Sequence, residues 1–202
     1  MIVKPPVIGT AELGTVTAEG LAAAVTQVAR KGPPPVHLWN PPFCGDIDIR
    51  ISRDGTWFYL GTPIGRAPLV KLFASILKRE GEDYFLVTPV EKVGIRVDDA
   101  PLLAVDFEAF GAGEQQILHF ITKTEDEVDA GPDHRIRVER DAETGEPSPY
   151  IHIRAGLWAL IDRKSFYRLV ELGAHAPHDG ESWFGLWSNG TFFPVIASKD
   201  LP

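Results

Sequence analysis

The chain has 202 residues, 44% of them hydrophobic and 24% charged, with a formal net charge of -8 at pH 7. That length suits one globular domain or two small ones, and the acidic balance excludes the broad basic surface that a long nucleic acid requires. No apolar run approaches the ~20 residues of a membrane span, the opening MIVKPPVIGTAELG lacks the apolar stretch of a signal peptide, and Cys44 has no second cysteine to pair with, so a cytoplasmic protein is expected.

In chain order, TAEGLAAAVTQVARKG predicts a short helix. Thr17 is placed to cap it, Glu19 stands in the first turn, Val16 and Leu21 form a hydrophobic staple, and Gly32 closes it after Arg30 and Lys31. Five prolines between Pro33 and Pro42 then forbid helix and leave an extended strap carrying Val36, Leu38, Trp39 and Phe43. DIDIRISRDGTWFYLG alternates on both sides of Asp54-Gly55 and predicts a hairpin, with Ile47, Ile49 and Ile51 on one face and Asp46, Asp48 and Arg50 on the other. In GTPIGRAPLVKLFASILKREG, Pro68 suits the first helical position, and Leu69, Leu72, Phe73, Ile76 and Leu77 repeat at helical spacing. Lys78 and Arg79 complement the C-terminal dipole before Gly81. DYFLVTPVEKVGIRVDD reads as two strands joined through Pro89 to Lys92.

Strands are expected near Leu102 to Phe110, Gln115 to Thr122, Arg135 to Arg140 and Tyr150 to Arg154, with KTEDEVDAGPDH as an acidic loop and RDAETGEPSP as a polar turn region. After the strand GLWALI, Asp162 caps a helix with Phe166, Leu169 and Val170 on its apolar stripe and Gly173 at its end. ESWFGLWSNGTFFPVI closes as a hairpin across Asn189-Gly190. Overlaying Ile64-Gly65-Arg66 on Ile161-Asp162-Arg163 gives two units, each reading strand, strand, helix, strand, strand. The fold class expected is therefore α+β. Two similar repeats, each a twisted antiparallel sheet or partial barrel with one packed helix, occupy residues 1–99, which include the N-terminal helix and strap, and residues 100–202.

The run ISRDGTWFYLGTPIGRAPLVKLFASILKREGEDYFLVTPVEKVGIRVDDAP, preceded by WNPPFCGDIDI, resembles the bacterial Domain of Unknown Function family twelve-eighty-five. GTPIGR and LVTPVEKVGI are the most distinctive pieces, and the resemblance covers residues 35 to 195. It implies a duplicated α+β architecture with a pleckstrin-homology-like C-terminal half. It also implies a ligand pocket between the halves for a nucleotide-based molecule, and a role in signal transduction. No established activity carries over with it.

Candidate site residues follow from local chemistry. A helix start offers free N–H groups and partial positive charge, so Arg66 beside Gly65, with no acidic cap, forms a potential anion site. Lys92 supplies a second cation for a phosphate, Glu91 a partner for an arginine or a ribose hydroxyl, and Trp39 or Trp57 an aromatic wall, with Tyr59 a further aromatic candidate. Each has a plainer role available: Arg66 in a surface ion pair, Glu91 and Lys92 as solvated turn charges, the tryptophans as core. His37, Cys44 and Asp46 match no nucleophile motif; His175, His178 and Asp179 surround helix-breaking Pro177; Asp46 and Asp48 read as an exposed strand face. No Walker loop or dinucleotide glycine fingerprint is present. The expectation is a binding protein for a phosphorylated or nucleotide-derived small molecule, with a signalling partner, no catalytic residue, no metal and no cofactor. The alternatives are a protein-interaction module and, less favoured, a hydrolase-type enzyme using Glu91, His37 or Cys44.

Overall fold

The computed structural model describes residues 17–29 and 34–201. The first helix, α1 (Ala18–Ala29), starts where Thr17 Oγ1 accepts from Gly20 N–H at 3.2 Å, the expected cap. Val16, Arg30, Lys31 and Gly32 lie outside the described residues. Leu21 and Val25 put its apolar stripe in the core. The strap forms one 3-10 turn, Val36–Leu38.

The first half then builds one sheet from β1 (Phe43–Ile51), β2 (Trp57–Tyr59), β3 (Thr62–Pro63), β4 (Leu77–Glu80), β5 (Asp83–Val87) and β6 (Lys92–Val97), with α2 (Ala67–Ser75) between β3 and β4. The isoleucines of β1 are buried and its acidic positions exposed, as alternation requires. The Asp54-Gly55 hairpin forms, with Gly55 at φ +70°. The helix expected to run toward Gly81 stops at Ser75, whose hydroxyl turns back to the Leu72 carbonyl at 2.6 Å. Leu77 to Glu80 instead pair with β5, turning at Gly81 (φ +64°). Lys78 and Arg79 are strand residues, not helix-end cations. Ladder hydrogen bonds to an available β5 edge override a helical period that the apolar spacing also fitted.

The second half repeats the sheet with β7 (Leu102–Phe110), β8 (Ile117–Thr122), β9 (Glu127–Asp129), β10 (Ile136–Arg140), β11 (Pro147–Arg154) and β12 (Leu157–Ile161). The strand orders, β3-β2-β1-β6-β5-β4 and β9-β8-β7-β12-β11-β10, correspond strand for strand. In both, every neighbouring pair is antiparallel except the first strand with the last, β1 with β6 and β7 with β12, which are parallel. The sheets are thus mixed, where antiparallel ones were expected. The two-part architecture with similar halves stands, but the helices are not equivalent. α2 lies inside its sheet's sequence, whereas α3 (Arg163–Glu171) follows β12, so the repeat aligns β1 with β7 rather than Arg66 with Arg163.

A third sheet, β13 (Ala174–His178), β14 (Glu181–Ser188) and β15 (Thr191–Ala197), completes the chain. The histidine-bearing stretch around Pro177 is strand β13, and the acidic loop contains β9; both gain a partner strand that local composition does not reveal. The Asn189-Gly190 turn forms with both residues at positive φ, 50° and 70°. Ser188, fully buried, accepts from Leu118 N–H at 2.9 Å and donates to the Ala130 carbonyl at 2.8 Å, fastening this sheet to β8. One apolar core runs through both halves, from Leu21, Ile49, Trp57 and Phe73 to Phe120, Ile151, Ile161 and Leu169.

Candidate functional site

Strand alternation leaves one face of the first sheet outside the core. A groove of about 590 Å³ lies there, lined by residues including Phe43, Asp46 and Asp48 of β1, Asp83 and Phe85 of β5, and Lys92, Gly94 and Arg96 of β6. Phe43 and Phe85 meet edge to face with centroids 6.1 Å apart. Lys92, from the sequence candidates, lies here. Its ammonium sits 4.8 Å over the Phe85 ring and 2.7 Å from Glu80, which Lys78 also reaches at 3.0 Å. Those hydrogen bonds, Lys92 first and Lys78 second, hold the Glu80 carboxyl below its ordinary range. Glu91 belongs to the adjoining turn, where its N–H donates to Thr88 Oγ1 at 3.1 Å and its carbonyl accepts from Thr88 N–H at 2.9 Å.

The other candidates are elsewhere. Arg66 occupies the N-cap position of α2 with no side-chain cap, so the open helix start expected from the sequence is present. It opens on a cavity of about 490 Å³ between α2 and α1, lined also by Ala18, Glu19, Ala22 and Leu69, which is within the first half and not at the seam. Gly65 is exposed with open space around its Cα. Trp57 is 2% exposed and stacked on Phe73, a core residue; half-buried Trp39 packs against the core while its carbonyl accepts from Lys78. Tyr59 likewise packs on the core. The seven candidates therefore do not converge.

The seam has its own cleft, of about 400 Å³; the resemblance implied a pocket between the halves, but none of the candidate residues lines this one. Arg53, from the β1–β2 turn, faces Glu146, Pro147, Pro149, Arg163, Phe166 and Tyr167 of the second half. Arg53 is anchored at the junction: Nη1 lies 2.6 Å from Asp99 Oδ2, Nη2 donates to Ser148 Oγ at 2.7 Å, and Tyr150 donates to Asp99 Oδ1 at 2.8 Å. Burial, and then that bond to Asp99, push the Tyr150 phenol up to about 12. Arg163 pairs with Glu146, and Asp162 caps α3 by accepting from Ser165 N–H at 2.7 Å. Arg53 was not among the residues singled out from the sequence. Gly94 was the legible clue on the other face, since a strand-interior glycine marks close approach.

No hydrogen bond joins His37, Cys44 and Asp46; the Cys44 thiol lies 3.5 Å from the Pro42 carbonyl. His175 contacts Ser198 at 2.8 Å and His178 packs edge-on against Trp183. Among the described residues no cluster of three His, Cys, Asp or Glu side chains could hold a metal, and no helix is long and apolar enough to cross a membrane.

Two family models match the chain: "Domain of unknown function (DUF1285), N-terminal domain" over residues 34–100 and "Protein of unknown function (DUF1285), C-terminal domain" over residues 101–195. The crystal structure of a DUF1285 family protein from Silicibacter pomeroyi is similar, at 61% identity and a TM-score of 0.81, covering 90% of this chain and 97% of that one. That of another from Shewanella baltica is 36% identical with a TM-score of 0.48, covering 61% of this chain and 90% of that one. No curated protein matches.

Proposed function

The chain belongs to the DUF1285 family, whose description names no activity, and from that premise we propose a binding protein that takes the phosphorylated end of a small, nucleotide-like molecule into the cleft between its halves. The observation that carries this reading is that Arg53 of one half and Arg163 of the other line the same cleft. Guanidinium groups bind phosphate bidentately and remain charged at any working pH. Arg53 stays 57% exposed while Asp99 and Ser148 hold it, and the partner of Arg163 can be displaced. The Arg163 and Glu146 side chains are 70% and 56% exposed, and such a surface pair is worth only about 0–1 kcal/mol, so a dianion can displace it. Tyr167, 61% exposed, supplies a face on which a base can stack, and the edge of the buried Phe166 adds apolar wall. A ligand bridging both arginines favours one arrangement of the halves over others, which is how occupancy becomes a signal.

The test is calorimetric titration of the full chain with AMP, inorganic pyrophosphate and adenosine. AMP and pyrophosphate should bind saturably and lose affinity as salt rises, with adenosine far weaker. Arg163→Ala should weaken AMP about tenfold or more, the loss of one charge-assisted hydrogen-bonded contact. Absence of saturable binding by both anions, or AMP affinity unchanged by Arg163→Ala and Arg53→Ala, overturns the reading.

A further inference from the structure

The groove on the outer face of the first sheet shares no lining residue with the cleft at the seam, and its chemistry is different. Asp46 and Asp48 project from β1 and Arg96 from β6, and among the described residues none of these three side chains has a hydrogen-bond or ion-pair partner. Lys92 does not neutralise the aspartates, because Glu80 holds it.

Asp46 is placed by construction. Gly94 is its register partner across the parallel pair, and the register shifts on both sides of Asp46, so irregular strand geometry aims this side chain. A Cβ on Gly94 would collide with Asp46 Oδ1; only a glycine lets the carboxylate lie on the backbone of β6. Phe43 flanks the same point, 3.7 Å from where that Cβ would be, and Phe85 closes on Phe43. The floor of the groove is thus a carboxylate beside an aromatic pair, and Arg96 stands one pleat further along β6, roughly 7 Å on.

From this arrangement we infer that the groove binds a small amino-acid-like zwitterion with an apolar side chain, its ammonium on Asp46 and Asp48, its carboxylate on Arg96 and its side chain against Phe43 and Phe85. The charges select this class. A purely anionic molecule meets Asp46, Asp48 and Asp83 together, and a purely cationic one leaves Arg96 without its counter-charge. The volume, about 590 Å³, falls in the roughly 300–1,000 Å³ range of small-molecule sites.

Calorimetry on the full chain with L-phenylalanine, L-leucine, 2-phenylethylamine and 3-phenylpropionate tests it. At least one amino acid should bind saturably at a single site, and the amine and the acid, each lacking one charge, should bind about tenfold more weakly or worse. Asp46→Asn should weaken the amino acid by a similar factor. Arg96→Ala should weaken the amino acid and leave 2-phenylethylamine unchanged, a split that loss of folding cannot produce. Arg163→Ala, at the seam, should change nothing here. The inference is overturned if neither amino acid binds, if 2-phenylethylamine binds as tightly as L-phenylalanine, or if Asp46→Asn has no effect.

Discussion

The first sheet turns Asp46, Asp48, Lys92 and Arg96 away from the core, around a bare Gly94. The second sheet, with the same strand order and the same single parallel pair, turns Tyr150 and Leu160 outward, where they pack with Ala100, Leu103 and Trp158 into a small second apolar cluster. Arg137 lies over that cluster, 4.2 Å above the Trp158 ring and 5.3 Å from that of Tyr150. The difference teaches that a shared strand order fixes which strands meet and which face is buried, and leaves the outer face free. In one half that face is sealed near the junction at Asp99 and Ala100; in the other it remains a groove.

The largest effect tests whether the halves are one folding unit. Phe73, stacked on Trp57, and Phe120, packed on Phe107, are fully buried in one continuous core. Phe73→Ala and Phe120→Ala should each cost about 3–5 kcal/mol. Each should shift a single denaturant transition followed by tryptophan fluorescence and circular dichroism together. Two separated transitions would mean that the sheets are independent and the comparison is between domains.

The sealed face is probed next at Tyr150. Tyr150→Phe removes the hydroxyl that satisfies Asp99 and should cost about 1–3 kcal/mol. It also carries a pH signature. Between the ordinary tyrosine value of 10.0 and the folded-state value of about 12, the folded chain keeps a proton that the unfolded chain has lost. This stabilisation is complete below the lower value and disappears as pH rises through the upper one. Urea titrations at pH 9 and pH 12 should show a drop in stability that is smaller in the phenylalanine variant.

A smaller contrast separates the two helices. Asp162→Ala deletes the cap of α3 and should cost about 1 kcal/mol, whereas Arg66→Ala at the uncapped start of α2 should stay within about 0.5 kcal/mol of wild type. Thermal denaturation of both variants checks the difference. Smallest for stability is Gly94→Ala on the open face. The Asp46 carboxylate that a methyl would strike is the free end of a flexible side chain, so unfolding should move by no more than about 0.5 kcal/mol. Amino-acid binding should nonetheless fall. A large destabilisation would show that Asp46 is there for packing.

Much of the fold is legible because its signals are short-range. Asp54-Gly55 and Asn189-Gly190 mark hairpins that form, Asp162 caps the helix it was expected to cap, and the alternation of β1 places its isoleucines inside. Errors fall where a local signal fits two states. Ile76 and Leu77 suit a helix stripe as well as a buried turn and strand, and the β5 edge decides between them. The site was legible in single residues and not in their grouping. Arg66 does start a helix without a cap, but it faces α1; Lys92 does line the groove on the first sheet, but Glu80 already engages it. Asp46 and Asp48 looked like a solvated strand face because nothing within a few positions shows Gly94 beneath one of them.

Composition, turn dipeptides, caps and the periods of apolar residues determined on their own that this chain makes two α+β halves with hairpins at defined places, since each depends on residues within about one turn or one pleat of each other. The three-dimensional packing decided that β1 lies parallel to β6 and β7 to β12, and that Arg53 and Arg163 line one cleft. A parallel pair needs a long crossover, and convergence at a cleft needs two remote segments brought together. Both are set by burying one common core, to which every segment contributes and which no single stretch of sequence encodes.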